Sequence, residues 1–164
     1  MKPDDEGLYR LAEETGKALR QRGFRLATAE SCTGGWAGMI VTAVPGSSAW
    51  YERGFITYTN EAKREMLGVA ENTLERWGAV SEATVGEMAL GALRHSRANM
   101  AVSISGIAGP DGGTAQKPVG TVCLAWAMTD GAVQATTCRF SGDRREVRAR
   151  SVAAALRGVI ELLS

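Results

Sequence analysis

Phe24-Arg25-Leu26-Ala27-Thr28-Ala29-Glu30-Ser31-Cys32-Thr33-Gly34-Gly35-Trp36-Ala37-Gly38-Met39-Ile40-Val41-Thr42-Ala43-Val44 is the stretch on which the fold turns. Residues 24–29 alternate and are short enough for a strand, Glu30 to Gly35 is a turn by composition, and Trp36 to Val44 is an apolar helical stretch. The order is strand, glycine turn, helix. Upstream, Leu8, Leu11, Ala12, Ala18 and Leu19 recur at helical spacing, which predicts an amphipathic helix over 5–22 ended by Gly23.

Downstream, Pro45 to Ser48 reads as a loop and Tyr51 to Thr59 as a second strand. A short helix then starts near Asn60 and carries Lys63. Glu71 to Trp77 predicts another short helix. Ser81 is a good N-cap for a helix through Arg97, with Val85, Met88, Ala89, Ala92 and Leu93 on one face. Met100 to Ser105 predicts a buried strand. Gly106 to Pro118 is irregular, and strands over Thr121 to Met128 and Val133 to Phe140 flank the hairpin signal Asp130-Gly131. Ser141-Gly142-Asp143 caps a last helix over 144–163.

Strands interleaved with helices and a late hairpin imply an α/β layered fold. Its sheet is mixed, mainly parallel, of five or more strands, and flanked by helices. With 164 residues and 45% hydrophobic content, residues 1–164 are expected to form a single domain with its own core. Nineteen basic and eighteen acidic residues leave a net charge of +1, which argues against a nucleic-acid or anionic-membrane partner. No apolar run approaches the ~20 residues of a membrane span, and Met1-Lys2-Pro3-Asp4-Asp5-Glu6 lacks the character of a leader, so a cytoplasmic location is expected. Cys32, Cys123 and Cys138 are widely spaced with only His95 as an imidazole, so a structural zinc site is not expected; no cofactor is expected either. Trp50-Tyr51, beside a glycine loop, is the sole pointer to a subunit contact, and carries the expectation of a homodimer.

Ligands of such sheets sit at the carboxyl ends of strands, where Glu30 to Gly35, Asn60 to Lys63 and Ser105 to Gly113 fall together. Ser31 opens a turn into a helix, where backbone N–H groups are unpaired and negative charge is favoured; it is a candidate nucleophile or an N-cap. The amides of Thr33, Gly34 and Gly35 are candidate donors to an oxyanion. His95 sits beside Arg94 on a predicted helix and is expected to face solvent, which disfavours a Ser-His-Asp triad. A lysine with a lowered pKa can replace histidine, and Lys63 is a better candidate than Lys2, Lys17 or Lys117; the alternative is a solvated lysine.

Cys32 is a rival nucleophile, expected instead to be packed and inert. Tyr58 either relays a proton between serine and lysine or stands idle on a rim. Gly106 to Gly113 fits neither common nucleotide-loop motif; it is a close-approach loop for a mononucleotide or a wide turn. Arg144, Arg145 and Arg148 open the last helix against its macrodipole, so at least one is expected to serve an anion unless all are simply exposed.

Seven segments in order cover nearly the whole chain. They are Ala29 to Gly35, Gly54 to Tyr58, Asn60 to Lys63, Gly78 to Ser81, Ser105 to Gly113, Lys117 to Val122 and Phe140 to Arg144. Together they resemble the CinA C-terminal-domain family, whose stand-alone members are nicotinamide-nucleotide amidases. The resemblance implies hydrolysis of the carboxamide of nicotinamide mononucleotide to nicotinate mononucleotide and ammonia, in pyridine-nucleotide salvage and without a metal. It places the nucleophile on Ser31, the lysine on Lys63 and the assisting tyrosine on Tyr58. It also makes Ser105 and Arg144 expected substrate-binding residues, which join Thr33, Gly34, Gly35, Asn60, Gly106 and Gly109 of the turn and loops as the expected substrate site. The alternative reading is a nucleotide-binding or regulatory module that keeps the pocket without turnover.

Overall fold

Alternation along the central strands sorts the side chains onto two packed faces, and a computed structural model shows how. The model describes residues 4–164; Met1, Lys2 and Pro3, which bear on the leader reading and include one of the rejected lysines, lie outside the described residues. The elements are α1 (Asp5–Arg22), β1 (Leu26–Glu30), α2 (Trp36–Thr42), β2 (Tyr51–Ile56), α3 (Asn60–Leu67), α4 (Glu71–Trp77), α5 (Glu82–Arg94), β3 (Met100–Gly106), β4 (Thr121–Met128), β5 (Val133–Arg139) and α6 (Arg144–Leu163). The strands lie in the order β2-β1-β3-β4-β5. β1 pairs parallel with β2 and β3, while β4 is antiparallel to both β3 and β5. β4 alone therefore runs against the other four, giving the expected five-stranded mixed sheet.

Met100, Val102 and Ile104 of β3 and Val122, Leu124 and Trp126 of β4 join α1 and α6 in one core, with Leu8, Leu19, Val152 and Leu156. The opposite face carries small residues, Ala27, Ala29, Ala101, Ala125 and Ala127, and packs on Val85, Met88, Ala89 and Ala92 of α5. Small side chains let α5 come close, and the Ser103 hydroxyl donates to the Val85 carbonyl at 2.6 Å. Gly91 of α5 meets the end of α3: a β-carbon there would stand 1.9 Å from the Leu67 carbonyl oxygen. Leu67 lies one helical turn beyond Lys63, so this contact fixes the helix that carries the lysine.

Trp50 does not mark a subunit contact. It is 2% exposed, and its indole covers Gly16, where a β-carbon would approach to 2.5 Å. β2 ends at Ile56, three residues earlier than expected. The Thr57 and Tyr58 carbonyls beyond it accept from Lys63 rather than from a neighbouring strand. α5 ends at Arg94, three residues short of the expected Arg97; the exposed His95 follows it, with ring Nδ1 2.8 Å from the Gly91 carbonyl.

The chain leaves β1 toward β2 and only later returns to β3 on the other side of β1. Such a reversal opens a crevice at the strands' carboxyl ends. Ser31 N–H donates to the Ile104 carbonyl at 3.0 Å, which extends the β1–β3 ladder and sets Ser31 in that crevice.

Candidate active site

A carboxylate beneath the Ser31–Gly35 turn holds it in shape. Glu30, the last residue of β1, is 2% exposed and accepts from Thr33 Oγ1 at 2.6 Å, Ala37 N at 2.9 Å and Gly38 N at 3.0 Å. Gly35, the N-cap of α2, has no side chain to offer, so Glu30 caps the helix from the strand. Gly34 at φ 59° and Gly35 at φ 104° occupy the left-handed region, which favours glycine at both positions. Sequence reading quoted Glu30 but missed this role. Its signal is an acid placed before a helix start that lacks a capping side chain.

Thr59 caps α3 by accepting from Ala62 N at 3.0 Å, and Lys63 follows on the buried side of the helix. Lys63 is 1% exposed, and its Nζ lies 3.0 Å from Ser31 Oγ, 3.0 Å from the Thr57 carbonyl and 3.2 Å from the Tyr58 carbonyl. Burial pushes its pKa below the ordinary 10.5, opposed in small part by Cys32. A neutral amine has two N–H groups and one lone pair. In the structure Nζ donates to Ser31 Oγ and to both carbonyls; once one proton is lost, the two carbonyls match the remaining N–H groups and the lone pair can face the Ser31 hydroxyl. The bland alternative, a solvated helix-face lysine, does not describe this side chain.

Ser31, Lys63, Ser105, Gly106, Gly109 and Arg144 line a cavity of about 310 Å³, which Tyr58 and Asp111 also border. Arg144 donates to the Gly109 carbonyl at 2.7 Å and reaches the Tyr58 phenol at 3.5 Å. Tyr58 therefore meets the Ser31–Lys63 pair through its peptide carbonyl, while its phenol stands at the rim with Arg144. Thr33, Gly34, Gly35 and Asn60 are not in the lining. Thr33 is fully buried with its hydroxyl on Glu30, and Gly34 N–H is already used, donating to the Ser31 carbonyl at 3.0 Å. Gly35 sits under the Ile56 side chain, and Asn60 opens α3 on its exposed side.

The three arginines that open α6 divide their work. Arg144 enters the cavity. Arg145 lies over the Trp36 ring, 5.0 Å from its centroid, and pairs with Asp5 at 3.3 Å. Arg148 donates to the carbonyls of Cys32 at 3.0 Å and Thr33 at 3.2 Å. No group of three or more His, Cys, Asp or Glu among the described residues is arranged to hold a metal ion, and no helix is long and apolar enough to cross a membrane.

The Cys32 thiol is buried and pushed up to about 11, chiefly by loss of solvent, with Arg148 opposing. At neutral pH its thiolate fraction is on the order of 10⁻⁴. Alkylation with iodoacetamide at pH 7, read by peptide mass spectrometry, is accordingly expected to label Cys32 only after denaturation; rapid labelling in the folded chain would restore it as a nucleophile.

A larger hollow of about 430 Å³ lies across Val80, between α5 and the β4–β5 face. Its cations are already engaged, Lys117 with the Trp77 carbonyl at 2.7 Å and Arg139 with Thr121 Oγ1 and the Gln116 carbonyl. The smaller cavity is the one that holds the Ser31–Lys63 contact.

The CinA C-terminal domain model matches residues 8–163. The nicotinamide-nucleotide amidohydrolase PncC of Escherichia coli strain K12 is 57% identical over 153 residues, covering 93% of this chain and 92% of that protein. The Pseudomonas putida protein of the same name is 49% identical, covering 93% and 94%. The crystal structure of competence/damage inducible protein CihA from Agrobacterium tumefaciens superposes with a TM-score of 0.94 at 46% identity, covering 100% of this chain and 99% of that one.

Proposed function

This chain belongs to the CinA C-terminal-domain family, and we propose that it is an amidohydrolase converting nicotinamide mononucleotide to nicotinate mononucleotide and ammonia. The observation that carries the reading is the buried contact of 3.0 Å between Lys63 Nζ and Ser31 Oγ at the wall of a mononucleotide-sized cavity. Near full-length relatives bearing the name nicotinamide-nucleotide amidohydrolase supply the substrate.

In this mechanism neutral Lys63 takes the Ser31 proton as Oγ attacks the carboxamide carbon, and the pyridinium makes that carbon more electrophilic. The tetrahedral intermediate collapses with loss of ammonia, which leaves after receiving the proton held on Lys63. Water then attacks the acyl-enzyme, Lys63 accepts its proton, and the carboxylate product departs with Ser31 restored. Direct contact between the two side chains makes a phenolic relay through Tyr58 unnecessary. Arg144, on the cavity wall beside Gly109, is assigned to the substrate phosphate, the one full anion of the ligand. The product keeps its phosphoribosyl group, which suits salvage of the pyridine nucleotide.

The test is a coupled assay of ammonia release from nicotinamide mononucleotide, with the product identified by mass spectrometry. Equimolar ammonia and nicotinate mononucleotide are expected. Ligand-induced thermal stabilisation without ammonia would instead assign a binding module.

A further inference from the structure

We propose that Cys32 N–H is the oxyanion donor of this site and that Arg148 is a positioning residue that strengthens it through two intervening peptide groups; the proposal rests on the amidase reading above. The Arg148 guanidinium donates to the Thr33 carbonyl at 3.2 Å. That carbonyl shares its peptide with Gly34 N–H, which donates to the Ser31 carbonyl at 3.0 Å. The Ser31 carbonyl in turn shares its peptide with Cys32 N–H, the amide next to the nucleophile, in a residue that borders the reactive cavity. A second bond from Arg148, to the Cys32 carbonyl at 3.0 Å, fixes the following peptide of the same turn.

Hydrogen bonds in series polarise one another, and a charged donor at the head of the series gives the largest effect. The direction is right for catalysis. Positive charge drawn toward the Thr33 carbonyl makes Gly34 N–H a better donor, which makes the Ser31 carbonyl a better acceptor and Cys32 N–H a better donor in its turn. The amides first considered as donors were those of Thr33, Gly34 and Gly35; the Gly34 amide serves as a link in the chain instead. Arg148 touches neither the substrate cavity nor Lys63 by any of these bonds, so it acts through the turn. Its guanidinium also lies over the Trp36 ring, 5.6 Å from the centroid, which holds the fork in place from the helix side.

An interaction that matters only when the carboxamide oxygen becomes an oxyanion should appear in kcat and not in substrate affinity. Arg148→Met keeps the aliphatic length and removes both donors; Arg148→Lys keeps one charged donor. Nicotinamide mononucleotide binding is measured by titration calorimetry in each variant carrying Ser31→Ala, which reports affinity and the fraction of competent sites. Turnover is measured with Ser31 intact, and thermal unfolding is followed in every variant.

Arg148→Met is expected to lower kcat per competent site by about tenfold, with Kd within about twofold and the pH midpoint of kcat/KM unmoved. Arg148→Lys should recover part of the loss. Unchanged kcat per competent site would overturn the proposal, as would parallel changes in Kd, pH midpoint and kcat, the pattern of a merely deformed turn. If Arg148→Met does not fold, the same comparison is made with Arg148→Lys alone, where a loss of about threefold confined to kcat is expected and full activity overturns the idea. A wild-type chain that binds the nucleotide but releases no ammonia defeats the amidase reading itself, an outcome separate from any of these.

Discussion

Ser31→Ala is expected to reduce ammonia release from nicotinamide mononucleotide by a factor on the order of 10⁴ to 10⁶ while leaving nucleotide binding within about threefold of wild type. The size of the loss follows from the absence of a substitute close by. Cys32 is adjacent, but its thiol is pushed up to about 11 and stays protonated at neutral pH. His95, the chain's single histidine, is exposed beyond the end of α5, so no imidazole activates a water in the cavity. The small effect on binding follows from the contacts of Oγ itself. It lies 3.0 Å from Lys63 Nζ and 3.4 Å from the Tyr58 carbonyl, both groups of the protein, and it is not assigned to the phosphate or ribose. Without Oγ, Lys63 keeps both carbonyl acceptors, so a folded chain is expected. Isothermal calorimetry with the nucleotide, beside a stopped ammonia assay, separates the two claims. A residual rate within tenfold of wild type would remove Ser31 from the chemistry, and lost binding at normal stability would move it to substrate recognition.

Much of this arrangement is legible in the sequence where periodicity and turn chemistry are local. The strand, glycine turn and helix around Ser31 follow from alternation and from glycines that the backbone requires at positive φ, and Thr59 and Ser81 cap the helices that begin beside them. Meetings between distant segments are harder to read. The Glu30 carboxylate reaches forward to Ala37 and Gly38, and nothing in a run of Glu-Ser-Cys-Thr says that the acid is buried. Arg148 lies 116 residues from the carbonyl it holds; charge against the macrodipole of α6 marks the arginines as unusual without saying which one faces which partner. The early end of β2 has the same origin. Residues 57 and 58 have strand-like composition, yet Lys63 takes their carbonyls, and that competition exists only once α3 has docked. Trp50 shows the limit of composition most plainly, because a large aromatic beside a loop reads equally as a surface anchor or as the partner of a glycine on another helix.

Lys63→Met is expected to lower kcat/KM by a factor on the order of 10³ to 10⁴ and to abolish its rise with pH. Under the proposed mechanism the reaction needs the neutral amine, so kcat/KM should rise with pH through the lowered lysine pKa and level off above it. The same shift acts on stability, with a sign opposite to that of a salt-bridged lysine. Burial favours the neutral form in the folded chain, while the unfolded chain keeps the ordinary value of 10.5. Between the two values the unfolded state binds more protons, so the wild type gains stability as pH rises through that window. Below the window both states are charged, and the folded chain bears the full cost of a buried ammonium. Methionine has nothing to titrate, so the difference in unfolding free energy between wild type and Lys63→Met should move toward the wild type with rising pH, read from urea titrations across the window. The stability change must set in at the pH where kcat/KM reaches half its plateau, because the folded-state pKa of one group fixes both. A stability difference that stays flat with pH would show that Lys63 keeps its ordinary pKa in the folded chain, and a general base working at neutral pH would then have to be found elsewhere in the cavity.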